Sequence, residues 1–249
     1  MAQAQAVSDL SIIWYSDSTL EPDFEARCQR ELRRSAGDCP IVAVSQKPTT
    51  FADVNICVGP IGRSLRNLFL QPLIGVLAAQ TKYVAMAEHD CFYSPRHFAW
   101  RPPDDGVFWY DCNHWFVSYQ TGQYAWIRRK PMSMLICARS MFLPAVTEKL
   151  DMLEKGFTLE GDHGLCEPGV IDDRPAIVAL RQAWWASVQR DVGKEPQWTA
   201  KGFYAEQPSL DIRYGGNYSG NMGHWIRRAR RRTDELPQWG AFKDYWANG

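Results

Sequence analysis

Tyr83-Val-Ala-Met-Ala-Glu-His-Asp90 is the stretch on which the reading of this chain turns. An apolar run ends on two carboxylates spaced two apart, and in an extended segment residues i and i+2 point the same way, so Glu88 and Asp90 share a side. Such a run is a buried strand, and open α/β sheets bind their ligands just outside the C-terminal ends of such strands. Two carboxylates there suit a hard divalent cation shared with the oxygens of a diphosphate. A solvated acidic turn is the plainer alternative. His89 faces away from both carboxylates by strand alternation, which leaves it a structural or donor-contacting role.

Upstream, the rhythm is regular. Leu10 to Tyr15 reads as a buried strand, and Glu21 to Arg34 as a helix with Pro22 in its first turn and Gly37 past its end. Ile41 to Val44 is a second strand. Ser64 then caps a helix whose apolar residues, Leu65, Leu68, Phe69, Leu73, Val76 and Leu77, keep a helical period that Pro72 interrupts. Strand, helix, strand, helix, strand in this order predicts a parallel sheet with right-handed crossovers, the plan of a nucleotide-binding half.

Downstream the pattern changes. Val107 to Asp111, Trp115 to Tyr119 and Tyr124 to Ile127 are short aromatic-rich runs separated by turn residues, which predicts antiparallel strands. Pro144 is expected to start a helix ending before Gly156, and Asp172 or Asp173 to cap another running to about Arg190. Pro196 to Gly220 reads as loop around a short strand, Leu210 to Arg213. The chain is therefore expected to be one α/β domain: a parallel nucleotide-binding half over about 8–120, a second half over 121–220, which the resemblance described below makes the acceptor half, and a basic, aromatic C-terminal extension over 221–249.

Composition bounds the function. With 249 residues, 45% hydrophobic and 22% charged, the chain is long enough for a substantial core, and 28 Lys+Arg balance 28 Asp+Glu. That balance excludes a uniformly basic nucleic-acid glove, so any polyanion must meet a local patch. Seven scattered Cys without a CxxC pair argue against a structural zinc site and a secreted disulfide scaffold. The stretch Leu65 to Ala79 is interrupted by Arg66, Asn67, Gln71 and Pro72, and the N-terminus lacks a signal-peptide pattern, so a cytoplasmic protein without a membrane span is expected.

Four stretches together resemble the GT-A glycosyltransferases, and among them a set of phage and bacterial GT-A-like proteins: Ile12-Ile-Trp-Tyr-Ser-Asp17, Val42-Ala-Val-Ser-Gln-Lys-Pro48, the helix before Lys82, and Glu88-His-Asp-Cys-Phe-Tyr-Ser-Pro95. The resemblance covers roughly residues 10 to 120. It implies a GT-A, Rossmann-like mixed sheet, a nucleotide-sugar donor, in the first instance a UDP-sugar, and Mn2+ or Mg2+ on its diphosphate. By the same resemblance Tyr15, Ser16 and Asp17 lie where the nucleoside is cradled. Tyr15 is either a stacking surface for a pyrimidine or ordinary core. Arg63, Arg66 and Asn67 are placed to meet donor phosphates at a helix N-terminus, and Glu88 and Asp90 to hold the metal. Glu88 stands where many of these proteins carry Asp. Tyr214 stands where they carry a His, and His224 is the candidate to replace it as a metal ligand.

Three further features bear on the acceptor. Glu160-Gly-Asp-His163 offers a base for an inverting reaction, with Asp162 first and Glu160 second; an ordinary polar loop is the alternative. Arg227-Arg-Ala-Arg-Arg-Arg232 puts Arg227, Arg228, Arg230, Arg231 and Arg232 in six positions, too many for one helix to bury. Beside Trp225 and Trp239 they suit nucleic-acid phosphates and stacked bases; taken with the resemblance to phage proteins, this implies phage DNA carrying hydroxymethylated pyrimidines as acceptor. A polysaccharide, a protein or a small molecule are the other acceptors, and a GT-A-like module that only binds nucleotide or DNA is the non-enzymatic alternative.

Overall fold

A computed structural model describes residues 8–126, 128–157, 167–170, 175–188, 198–214 and 229–247. The chain opens on β1 (Leu10–Ser16), α1 (Pro22–Ala36), β2 (Ile41–Ser45), β3 (Val54–Cys57), α2 (Leu65–Ala78) and β4 (Tyr83–Glu88). It continues through β5 (Cys91–Phe92), α3 (Pro95–Ala99), β6 (Val107–Asp111), β7 (His114–Ser118) and β8 (Tyr124–Trp126). Then come β9 (Leu135–Ala138), α4 (Arg139–Glu154), α5 (Pro175–Ser187), β10 (Thr199–Phe203) and β11 (Ser209–Arg213), and last β12 (Arg231–Thr233), β13 (Glu235–Leu236), β14 (Gly240–Ala241) and α6 (Phe242–Ala247).

A seven-stranded sheet runs β10-β6-β9-β4-β1-β2-β3. β4, β1, β2 and β3 are parallel neighbours, β6 and β10 form a second parallel pair, and β9 is antiparallel to both β4 and β6. The parallel strands expected from the rhythm, and the mixed, Rossmann-like α/β sheet implied by the resemblance, are therefore present. Because β9 is reversed between them, β4 and β6 point the same way, and their C-terminal ends open on one edge. Alternation splits the core in two. Ile12, Trp14, Ile41, Ala43 and Ala85 pack with Leu32 and Ala36 of α1, while Ile13, Val42, Val84 and Met86 pack with Phe69 and Val76 of α2 and Phe142 and Val146 of α4.

A second sheet, β12-β8-β7-β11-β5, mixes an antiparallel β7–β8 hairpin with a parallel β7–β11 pair. Its core joins Phe92, Val117, Tyr124, Leu210 and Ile212 to Phe24 of α1 and Phe242 of α6. The C-terminal segment is thus docked rather than appended. Arg27, buried in α1, donates to the carbonyls of Tyr245 and Trp246, at 2.8 Å each, which satisfies carbonyls at the end of α6.

Several element boundaries differ from expectation. Val107 to Asp111 belongs to the first sheet, apart from the β7–β8 hairpin. β3, β9 and β10 were not legible: β3 is an exposed edge, β9 is a four-residue run buried on both faces, and β10 carries Lys201 and Gly202 without alternation. α4 begins at Arg139, straight out of β9, so Pro144 sits inside it. Arg231 and Arg232 lie on an edge strand paired with Ala125 and Trp126. No described helix is long and apolar enough to cross a membrane, and Cys28, Cys39, Cys57, Cys91, Cys112 and Cys137 are free thiols.

Candidate active site

β4 delivers its acidic end beside the end of β1, with Tyr15 in register with Glu88. The Tyr15 hydroxyl donates to Glu88 Oε1 at 2.9 Å, and the Glu88 N–H donates to the Tyr93 hydroxyl oxygen, also at 2.9 Å. Tyr93 in turn donates to the Ser133 carbonyl at 3.1 Å. Both the backbone and the carboxyl of Glu88 are therefore pinned before any ligand arrives. The Tyr15 ring is 4% exposed and lies in the core, so its role is to hold Glu88 rather than to stack on a base.

His89 turns toward β1, where its Nδ1 is 2.7 Å from Ser16 Oγ and 3.6 Å from Asp17. Asp17 accepts from the Thr19 N–H and hydroxyl and pairs with Arg63 at 2.7 Å. Ser16, Asp17, His89 and Arg63 thus meet beyond the ends of β1 and β4. The other two residues expected at donor phosphates are occupied structurally. Arg66 pairs with Glu154 at 3.0 Å, and the buried Asn67 amide donates to the carbonyls of Ile61 and Gly62. Asn67 is a clamp on the loop before α2, whose cap is Ser64 Oγ accepting from the Asn67 N–H.

Asp90 is 7% exposed, and donor atoms of Glu88, Asp90 and Cys91 all lie within 4.8 Å of one another, a grouping that could hold a metal ion. A third carboxylate, which the sequence did not single out as a ligand, adjoins them. β11 pairs antiparallel with β5 so that Asp211 faces Cys91, and the Ile212 N–H donates to the Asp90 carbonyl at 2.9 Å. Asp211 is 2% exposed; its Oδ2 pairs with Arg213, while its Oδ1 has no hydrogen-bond partner among the described residues. The Arg213 guanidinium lies 4.3 Å from the centre of the Phe116 ring.

The electrostatics of this cluster are those of crowded anions. Burial, then Asp90 and Asp211, push the Glu88 carboxyl up to about 8, against the pull of Tyr15 and Arg213. Burial likewise raises Asp211 to about 6, although Arg213 and Arg129 oppose it. Burial also works against the Arg213 charge, but Asp211, Asp90 and Glu88 outweigh it and raise its pKa. The residues fit a divalent cation: oxygen donors converge, one buried carboxylate oxygen lacks a partner, and added positive charge would relieve their mutual repulsion.

Of the other expected site residues, only Arg230, Arg231, Arg232 and Trp239 lie among the described residues. Glu160, Asp162, His224, Arg227, Arg228 and Trp225 lie outside the described residues. Arg230, Arg231 and Arg232 are exposed, and Arg231 lies over the Trp126 ring at 5.7 Å. Trp239 is buried, donating to the Pro208 carbonyl at 2.9 Å, and offers no stacking face to a base.

No family model matches the sequence, and no curated protein matches it. Among solved structures, the chain is similar to a glycosyltransferase involved in the glycosylation of the major capsid of PBCV-1, at 7% identity and a TM-score of 0.40, over 78% of this chain and 81% of that one. A likeness of that depth leaves the chemistry to be read from the residues themselves.

Proposed function

We propose that this protein is a glycosyltransferase that moves a sugar from a nucleotide-diphosphate sugar, in the first instance a UDP-sugar, to an acceptor hydroxyl. One observation carries the proposal: the Glu88 and Asp90 carboxylates converge at the C-terminal end of the central parallel strand, beside the buried Asp211. Glu88 and Asp90 would hold Mn2+ or Mg2+, which when bound supplies charge neutralisation to the departing diphosphate. Tyr15 and Tyr93 fix Glu88, and Arg213 keeps Asp211 ionised and in place. Asp17 and Arg63, past the end of β1, flank the donor side. In the reaction the anomeric C–O bond to the diphosphate breaks, a bond to the acceptor oxygen forms, and the acceptor proton passes to a base, for which Asp162 and Glu160 are the candidates.

The test is release of UDP from a panel of UDP-sugars with Mn2+, with and without acceptors, by wild type, Glu88→Gln and Asp90→Asn. The expected result is metal-dependent release that falls by about a hundredfold in each variant. Absence of release from every donor, or release that both variants retain, contradicts the proposal. The exposed Arg230, Arg231 and Arg232 favour a polyanionic acceptor as a second reading. Under it, duplex DNA containing hydroxymethylcytosine gains the mass of a sugar on that base while unmodified DNA gains none.

A further inference from the structure

On the side of the acidic cluster away from Asp17 and Arg63, the same sheet edge carries a second concavity that the donor chemistry does not use. It is a cavity of about 510 Å3 beside the ends of β6 and β10, lined by Arg128, Arg129, Lys130, Glu167, Gly202 and Tyr204. Its size falls in the range of small-molecule sites. Three consecutive cations enter it just before β9, against one carboxylate. Lys130 Nζ donates to the Ala200 carbonyl at 3.0 Å, which anchors that side chain to β10.

The cavity opens at the end of β6, which only β9 separates from β4 and its acidic end. Arg129 acts electrostatically on Asp211 and on Glu167, and Glu167 acts on Tyr15, whose hydroxyl holds Glu88. Tyr204 is 60% exposed at the rim, a flat face of the kind sugars lie against.

These features ask for different things from one ligand. The cations call for an anionic group, the one lining carboxylate, Glu167, for a hydroxyl donor, and the exposed aromatic ring for a flat apolar face. A sugar or polyol bearing phosphate or carboxylate supplies all three. We propose that this cavity is the acceptor subsite and that it takes an acidic sugar, with Arg128 and Lys130 on the anionic group and Glu167 accepting from a hydroxyl. The acceptor role rests on the transferase reading above, but occupancy of the cavity does not. A cavity of this volume favours a small acidic acceptor over duplex DNA.

The test is calorimetric titration of the full chain, without metal or nucleotide, using glucose 6-phosphate, glucuronate, glucose and a DNA duplex as separate probes. Saturable binding of either acidic sugar is expected, with glucose at least about tenfold weaker. Arg128→Glu should weaken the acid by a similar factor, and Lys130→Gln is read in the same way should the first variant fail to fold. No saturable binding of either acid, equal binding of glucose, unaltered binding in both cavity variants, or binding of the duplex alone would overturn the proposal. Acid binding in a protein that releases no UDP from any donor would remove the transferase reading and leave the anion site standing.

Discussion

Glu88 shows how much of this site is a consequence of enclosure. An isolated carboxyl ionises near 4.5, yet among Asp90, Asp211 and the surrounding core it holds its proton to about 8. Between those values the folded state binds a proton that the unfolded chain lacks, so this contribution to stability is complete below pH 4.5 and is lost as pH rises through about 8. Asp211, raised to about 6, acts in the same direction. His114 acts oppositely: burial depresses it to about 4, so its contribution grows as pH rises from 4 toward 6.5. In metal-free buffer, wild-type melting temperature should therefore fall relative to Glu88→Gln as pH is raised from about 5 to about 8. Parallel melting curves for the two proteins across that window would show that Glu88 is not held protonated.

At this scale the sequence disclosed the pair and concealed its setting. Glu88 and Asp90 announce themselves because their spacing is local. Asp211 lies on a strand that was legible, but its approach to Cys91 depends on pairing between segments about 120 residues apart, which no periodicity encodes. Asn67 and Arg66 misled for a related reason. Polar residues at a helix N-terminus look ready for phosphate, and only the folded loop shows Asn67 spent on two backbone carbonyls.

Among elements, α2 and β1 define how closely the helical layer approaches the sheet beneath the site. Gly75 permits that approach: a Cβ there would lie 2.5 Å from Ile13 Cγ2 and 3.2 Å from Val44 Cγ2. Alanine is the better helix former by about 1 kcal/mol, but forcing a methyl into packed β-branched side chains costs about 1–3 kcal/mol. Gly75→Ala should accordingly lower the melting temperature, and a rise would mean that α2 has room to move outward. The βαβ elements were readable because each carries a full amphipathic period or an unbroken apolar run with caps, as Ser64 and Gly37 do. β9 was not, since four apolar residues between a 3-10 turn and a helix carry no period at all. Pro144 pointed to a helix start one and a half turns late because proline marks the first turn of many helices, though here it lies within α4.

Over the whole molecule, two sheets converge on one edge. The parallel strands bring Ser16, Asp17 and Glu88 there, the second sheet adds Asp211 and Arg213, and the β6–β10 pair adds the cationic cavity. The proposed donor side, the acidic cluster and the proposed acceptor cavity then follow one another along the sheet, with β4 between the outer two. The arrangement separates a site that repels anions until a cation arrives from one that attracts them without it.

The account turns on whether the acidic cluster grips a divalent ion in company with a diphosphate. Titration of Mn2+ into the full chain, followed by electron paramagnetic resonance with and without UDP, tests this directly. The account predicts saturable Mn2+ binding that UDP strengthens, weakened by about tenfold or more in Asp90→Asn. Mn2+ binding that is absent, or equal in wild type and Asp90→Asn with UDP present, would contradict it.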